Sequence, residues 1–315
     1  MNPTRPGGVA AWLSAPWLPV AVLLFSSSMW GLSWLPLKAF AEHGLSGPLL
    51  AMLTYGLLGV VGLPWLWRER ALWLRDKRLL LALVVLGGWG NAAFVSALVL
   101  GDVVRVMLLF YLAPVWSVLG GRFFLGEAVS PRRAGAVALA LIGAFLVVGG
   151  FSVFEAPPSA ADLLALTSGM GFAGNNIVSR AAQAIPAATK TVALCLGCAL
   201  VALLMMAAGA GAPALAMPSG GVIAGLLAYS LIGLALVIVT WQWSVTRLEA
   251  GRSGVLAIAE LLVAMLTATL IGDETMLPRE WLGAALIVAA AVLEATDSAE
   301  SVSPHHAITT PKEIT

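Results

Sequence analysis

Charge is what this sequence has least of. Asp, Glu, Lys and Arg make up 10% of its 315 residues, against about 25% in an ordinary soluble domain. The 17 Lys+Arg and 16 Asp+Glu nearly cancel, and no block of like charge stands out. A water-soluble surface cannot be built from so few charges. No basic stripe exists to meet phosphates, so no nucleic acid is expected as a partner. Histidine is nearly missing: His43 falls at a helix end, and His305 and His306 lie in a polar tail. No apolar run contains one, which argues against haem, zinc or copper held by imidazoles. Neither a metal nor a cofactor is expected. Cysteine is confined to Cys195 and Cys198. They read as a redox or metal pair or, more simply, as two small apolar residues on one helix. The sequence has no Gly-Lys dipeptide, hence no P-loop for an ATP-driven pump. It has no H-E-x-x-H and no G-x-S-x-G, and no enzyme activity is expected.

What the chain does have is apolar length. Hydrophobic residues make up 60%, which excludes disorder and leaves an all-α integral membrane protein. A helix needs about 20 apolar residues to cross the hydrocarbon. Ten runs of about that length are present, at 17–38, 46–67, 79–100, 104–125, 133–151, 162–182, 187–208, 221–243, 252–272 and 280–296. The first is too long for a signal peptide core and is read as a retained helix. Residues 1–16 and 297–315 read as tails, the latter flexible, and 152–161 as the connecting loop. With the amino terminus inside, 14 Lys and Arg fall in inner segments, whereas Lys38, Arg105 and Arg279 fall outside. The positive-inside rule then puts both termini in the cytoplasm, and the inner membrane of a bacterium is the expected location.

The chain resembles itself. A shift of 147 residues places Asp102 on Glu249, Arg105 on Arg252, Glu127 on Glu274, Pro131 on Pro278 and Phe94 on Trp241. Near the starts of the halves, a shift of 142 places Lys38 on Arg180 and Trp30 on Phe172. Two five-helix halves follow, 17–151 and 162–296. Five is odd, so the second half enters the membrane from the opposite side, as in inverted-repeat transporters.

The stretch L-F-Y-L-A-P-V-W-S-V-L-G-G-R-F-F-L-G-E-A-V-S-P-R-R-A-G-A-V-A-L-A-L-I-G-A-F-L-V-V-G-G from Leu109 to Gly150 resembles an EamA-type domain of the drug/metabolite transporter superfamily. The same domain is resembled by A-E-L-L-V-A-M-L-T-A-T-L-I-G-D-E-T-M-L-P-R-E-W-L-G-A-A-L-I-V-A-A-A-V-L at 259–293, and W-G-L-S-W-L-P-L-K at 30–38 is similar to the family's first-helix pattern. The resemblance implies ten helices in two inverted repeats, a central cavity, and export or exchange of a small metabolite. One departure stands out. Members often have Glu-Pro in the second half, but this chain has Glu260-Leu261, so the ninth run is expected to lack the kink that Pro114 gives the fourth.

Glu260 is the outlier among polar residues. It lies eight residues past Arg252, about 12 Å along a helix and near the middle of a ~30 Å hydrocarbon layer. A carboxyl there is costly and points to function. It suits taking up and releasing a proton or meeting a cationic substrate group, and the plainer reading is a neutral structural acid bonded to a neighbouring helix. The sixth run carries Ser168, Gly171, Phe172, Asn175 and Ser179 on one face, with Asn176 alongside. Such residues bind substrate or bond across helices. The first run offers Ser27, Trp30, Trp34 and Lys38 at helical spacing. Trp30, Trp34, Asn91, Tyr111, Asn175, Asn176 and Gln242 are therefore the candidate lining. Lys38 is a candidate entrance or gating residue that senses an anion or snorkels to water. Glu127 and Glu274, at matching helix ends, read as structural.

The expected function is a secondary active carrier, an exporter or exchanger of a small metabolite such as an amino acid. A proton or counter-substrate would be its coupling partner, and the lipid bilayer its setting. A channel or a lipid-handling protein is the alternative. The sequence sets no oligomeric state. Glu260→Gln is expected to abolish or uncouple transport without unfolding the chain. Unchanged transport with unchanged pH dependence would reject the role.

Overall fold

The computed structural model describes residues 17–302, apart from 46, 125–128, 149, 152–157, 212–217, 246 and 248–249. Glu127 thus lies outside the described residues. Every long regular element described is helical. In chain order these are α1 (Leu18–Gly31), α2 (Trp34–Glu42), α3 (Gly47–Arg68), α4 (Arg70–Trp73), α5 (Lys77–Leu100), α6 (Val103–Phe110), α7 (Ala113–Phe124) and α8 (Pro131–Val148). The second half has α9 (Ala160–Ala181), α10 (Ala187–Ala207), α11 (Gly220–Ala228), a π-helical segment (Tyr229–Leu234), α12 (Ala235–Val245), α13 (Ala250–Leu270) and α14 (Pro278–Val302).

The elements fall on the expected runs, and the differences have causes. The first run is broken between α1 and α2 at Leu32 and Ser33, and the fourth between α6 and α7 at Tyr111 and Leu112. Both breaks have a proline just downstream, Pro36 and Pro114. A proline ring crowds the carbonyl four residues back, which is Leu32 in one case and Phe110 in the other. α13, without proline, is continuous across Glu260. The last helix reaches Val302 rather than ending near 296. Its continuation, Asp297 to Val302, is mostly polar, which an apolar-run criterion does not see.

Among the described residues, five segments are long and apolar enough to cross a membrane: Leu18–Glu42, Gly47–Arg68, Lys77–Leu100, Ala187–Ala207 and Gly220–Trp241. Ala134–Val147 and Ala259–Leu270 are shorter apolar helices. The outer surface is apolar, with Val60, Leu81, Ile232, Val239 and Leu270 all more than half exposed. Such a surface suits lipid, not water. The chain is an integral membrane protein.

Helix packing joins the halves. α5 packs on α9 and α10, α3 on α10, α8 on α14, α1 on α12 and α13, and α6 and α7 on α9. These pairs map onto one another when the halves are exchanged: α5 with α9 answers α12 with α1, and α6–α7 with α9 answers α13 with α1. The close approaches are at small residues, as expected where lipid gives helices little reason to associate. A β-carbon on Gly59 would meet Leu196, and one on Gly62 would meet Val192, at 2.7 and 2.3 Å. On α8 and α14 the approach is mutual. A β-carbon on Gly143 would lie 2.7 Å from the Gly283 carbonyl oxygen, and one on Gly283 would lie 2.6 Å from that of Gly143.

One helix therefore holds an internal control. Gly135, also on α8, has nothing within 4 Å of a β-carbon. Gly135→Ala is expected to raise stability by about 0.5–1 kcal/mol through reduced backbone freedom. Gly143→Ala, the same chemical change, is expected to lower it by about 1–3 kcal/mol through overpacking. Thermal unfolding of the purified variants in detergent measures both.

Candidate functional site

Two polar sites emerge, one central and one at the end of the bundle. At the centre, α13 carries Glu260 into the interior, where it is 9% exposed. α1 comes unusually close here, because Gly31 has no side chain. A β-carbon on it would lie 2.5 Å from the Glu260 carbonyl oxygen. Tyr111, at the break between α6 and α7, reaches across from the first half. Its hydroxyl lies 3.0 Å from the Ala257 carbonyl oxygen and 3.3 Å from Glu260 Oε2. The proline-induced break positions Tyr111 where a continuous helix would continue its backbone ladder. Next to Tyr111, a void of about 10 Å³ is lined by Val115, Val118, Ala136, Val137, Ala140 and Ala290.

At the end of the bundle a cavity of about 420 Å³ opens among Lys38, Asp102, Arg105, Asp273, Glu274 and Glu280, with Leu108 and Val147 at its apolar side. Its charges are organised around the start of α6. Glu274 accepts hydrogen bonds from the Val103 and Val104 amides, at 2.8 and 3.0 Å. Lys38 Nζ donates to the same carboxylate at 3.0 Å. One carboxylate thus satisfies two free amides of a helix start, favoured by the helix dipole, and neutralises a lysine. Arg105 holds Asp162 through two parallel bonds, Nε to Oδ1 at 2.6 Å and Nη2 to Oδ2 at 2.8 Å. Asp162 also closes a reciprocal cap with Ser159 at the start of α9.

The sequence candidates divide between these surroundings. Trp34 is buried and donates from Nε1 to Thr267 Oγ1 at 3.0 Å, which joins α2 to α13. Trp30 packs half-buried against the core. Asn91 turns back to the Gly87 carbonyl at 2.8 Å, and the Asn175 amide oxygen crowds the same Gly87. Ser168 donates to the Gly90 carbonyl at 2.9 Å. The polar stripe of the sixth run is thus the seam between α9 and α5, with Asn176 turned outward and exposed. Gln242 lies on α12, and its side chain is outside the described residues. Lys38 does not snorkel alone: Glu274 engages it, and it lies 5.6 Å from the Trp34 ring centre. Glu274 is structural as expected, but it anchors α2 and α6 rather than its own hairpin. Asp162 went unnoticed as a partner for Arg105. The Ser159-x-x-Asp162 spacing of a capping box was its signal. Cys195 and Cys198 are free and buried, the plainer of their two readings. Among the described residues, no group of three or more His, Cys, Asp or Glu could hold a metal ion.

A polytopic helical membrane protein with a buried carboxyl between two similar halves is the class these observations define. The model of the EamA-like transporter family matches residues 17–149 and again 159–295. The chain belongs to that family of membrane transporters, which sits in the drug/metabolite transporter superfamily and is not an enzyme family. No curated protein matches it. A crystal structure described only as that of a protein is similar in fold, with a TM-score of 0.59 and 19% identity, covering 91% of this chain and 99% of the other.

The anchoring role of Glu274 separates charge from geometry. Glu274→Ala strands two amides and a lysine and is expected to cost about 2–4 kcal/mol of stability. Exchanging the charges, Lys38→Glu with Glu274→Lys, restores attraction but supplies no acceptor to Val103 and Val104. The exchange is therefore not expected to recover the lost melting temperature; full recovery would show that the ion pair alone matters.

Proposed function

We propose that the chain is a secondary active carrier that exports or exchanges a small metabolite by alternating access. Its ten spans form two five-helix halves of opposite orientation, with both termini in the cytoplasm of a bacterial inner membrane. The observation that carries this reading is the double family match, one copy in each half. The packing supports it. Lys38, Asp102, Arg105 and Glu274, from three expected outer segments, line one cavity. Glu69 and Thr189, from two expected inner segments, bond to each other, and α5 runs from that end of the bundle to the cavity.

The favoured substrate is neutral or zwitterionic, such as an amino acid. The centre offers one carboxyl beside a tyrosine, and both basic residues of the cavity are engaged by acids. Glu260, Tyr111 and Trp30 are the central residues of this reading, with Lys38 at the entrance. Reconstituted into liposomes with candidate amino acids, purines, nucleosides and cationic drugs, the protein is expected to give saturable uptake. Unlabelled substrate inside is expected to accelerate entry of labelled substrate. Uptake that neither saturates nor shows this counterflow would establish the rival channel or lipid-handling reading.

A further inference from the structure

The bonds of Tyr111 require more hydrogens than it has. A phenol carries one, and a carbonyl oxygen only accepts. The 3.0 Å contact with Ala257 is a normal bond and takes that hydrogen, whereas the 3.3 Å contact with Glu260 Oε2 is long for two oxygens. The second contact is a hydrogen bond only if Glu260 brings its own proton. An ionised carboxylate at 9% exposure with one long contact would be poorly compensated.

Among the described residues, no cation is recorded against it. From α1 the facing positions are Ser27, Gly31 and Trp34, and Lys38 beyond them is held by Glu274. From α6, Arg105 is held by Asp162. From α14, Glu280 caps its own helix start through the Leu277 amide. Tyr55 of α3 is buried in the core and brings no cation. On α13 itself, Arg252 lies two turns away, with its side chain outside the described residues. Among the described residues two buried side-chain donors have no partner, Trp116 Nε1 on α7 and the hydroxyl of the fully buried Ser27. It stands one turn before Gly31, the residue whose backbone abuts the Glu260 turn.

We infer that Glu260, Tyr111 and Ser27 form a proton-binding site between the halves, with Tyr111 as the positioning residue that passes the state of Glu260 to the α13 backbone. When Glu260 holds the proton, it donates to Tyr111, and Tyr111 donates to Ala257. When the proton leaves to water, the Tyr111 hydrogen turns to the carboxylate, a stronger charge-assisted bond, and the Ala257 carbonyl is released. The Ser27 hydroxyl, without a partner in this form, is the second donor proposed to turn to the carboxylate once it ionises. Nothing but the proton is gained or lost. The void beside Tyr111, at about 10 Å³ and otherwise lined by Val and Ala side chains, is at the lower limit for one water. This deepens the carrier reading by naming its coupling ion, and it rests on that reading only for its purpose.

Infrared difference spectra of the full chain in lipid nanodiscs, recorded across pH steps without substrate, test the site. Wild type is expected to show a hydrogen-bonded carboxylic-acid band at the acid end that disappears on alkalinisation, with a tyrosine ring mode changing over the same pH range. Glu260→Gln removes the band. Tyr111→Phe keeps it but moves it to the higher frequency of a less bonded acid, and Ser27→Ala changes the pH at which it disappears. No titrating band at any pH, or a silent tyrosine mode while Glu260 titrates, overturns the inference. So does a Tyr111→Phe or Ser27→Ala spectrum identical to wild type. If a variant fails to fold, the wild-type correlation of the two bands still decides. Counterflow without the band leaves a carrier with another coupling; the band without counterflow leaves a proton site and no carrier.

Discussion

Helices in lipid have little to gain by burying one another's apolar faces, so their backbones must come close enough for packing to hold them. Everything in this structure follows from where that closeness is allowed. Gly59 and Gly62 admit α10, Gly143 and Gly283 admit each other, and Gly31 lets α1 lie against the Glu260 turn. The most extensive seams run between the halves, with α13 on α14 and α3 on α5 as seams within them. At Gly31 the α1 backbone lies against the Glu260 backbone carbonyl, so the turn that carries the carboxyl is held tightly in the interior.

Polar groups then sort by depth. At the cavity end, acids and bases are paired, and Glu274 serves three donors from two separate elements. At the centre, Glu260 has only a phenol. The first arrangement stabilises one form of the bundle end, since breaking it would strand several groups at once. The second is sparse, because Tyr111 is the one side-chain partner recorded for the Glu260 carboxyl among the described residues.

Most of the fold was legible in the sequence because a membrane imposes a length on each apolar run. The runs gave each helix to within a few residues, and proline marked the two breaks. The polar end of α14 was missed, because its helix is not apolar. The site was less legible. Glu260 could be singled out by depth alone, and Tyr111 was among the candidates for its lining. Its partner across the bundle could not be read from spacing, since Tyr111 and Glu260 are 149 residues apart. The stripe on α9 looked like a binding surface, yet Ser168 and Asn175 meet the backbone of α5. Periodicity shows that residues share a face; it does not show what the face meets. Lys38 had no sequence signal for Glu274, because their pairing depends on how the halves come together.

The π-helical segment Tyr229–Leu234 interrupts the eighth run between α11 and α12, whereas α5, its counterpart in the first half, is an unbroken α-helix. The internal likeness changes offset along this same stretch of the halves, from 142 near their starts to 147 at Phe94 and Trp241. Two identical halves related by a two-fold axis would make the outward-open and inward-open forms degenerate, each equally populated in the absence of a gradient. A wider turn in only one half makes the two halves unequal in their backbones. In the proposed carrier, that inequality would by itself give the two access states different energies.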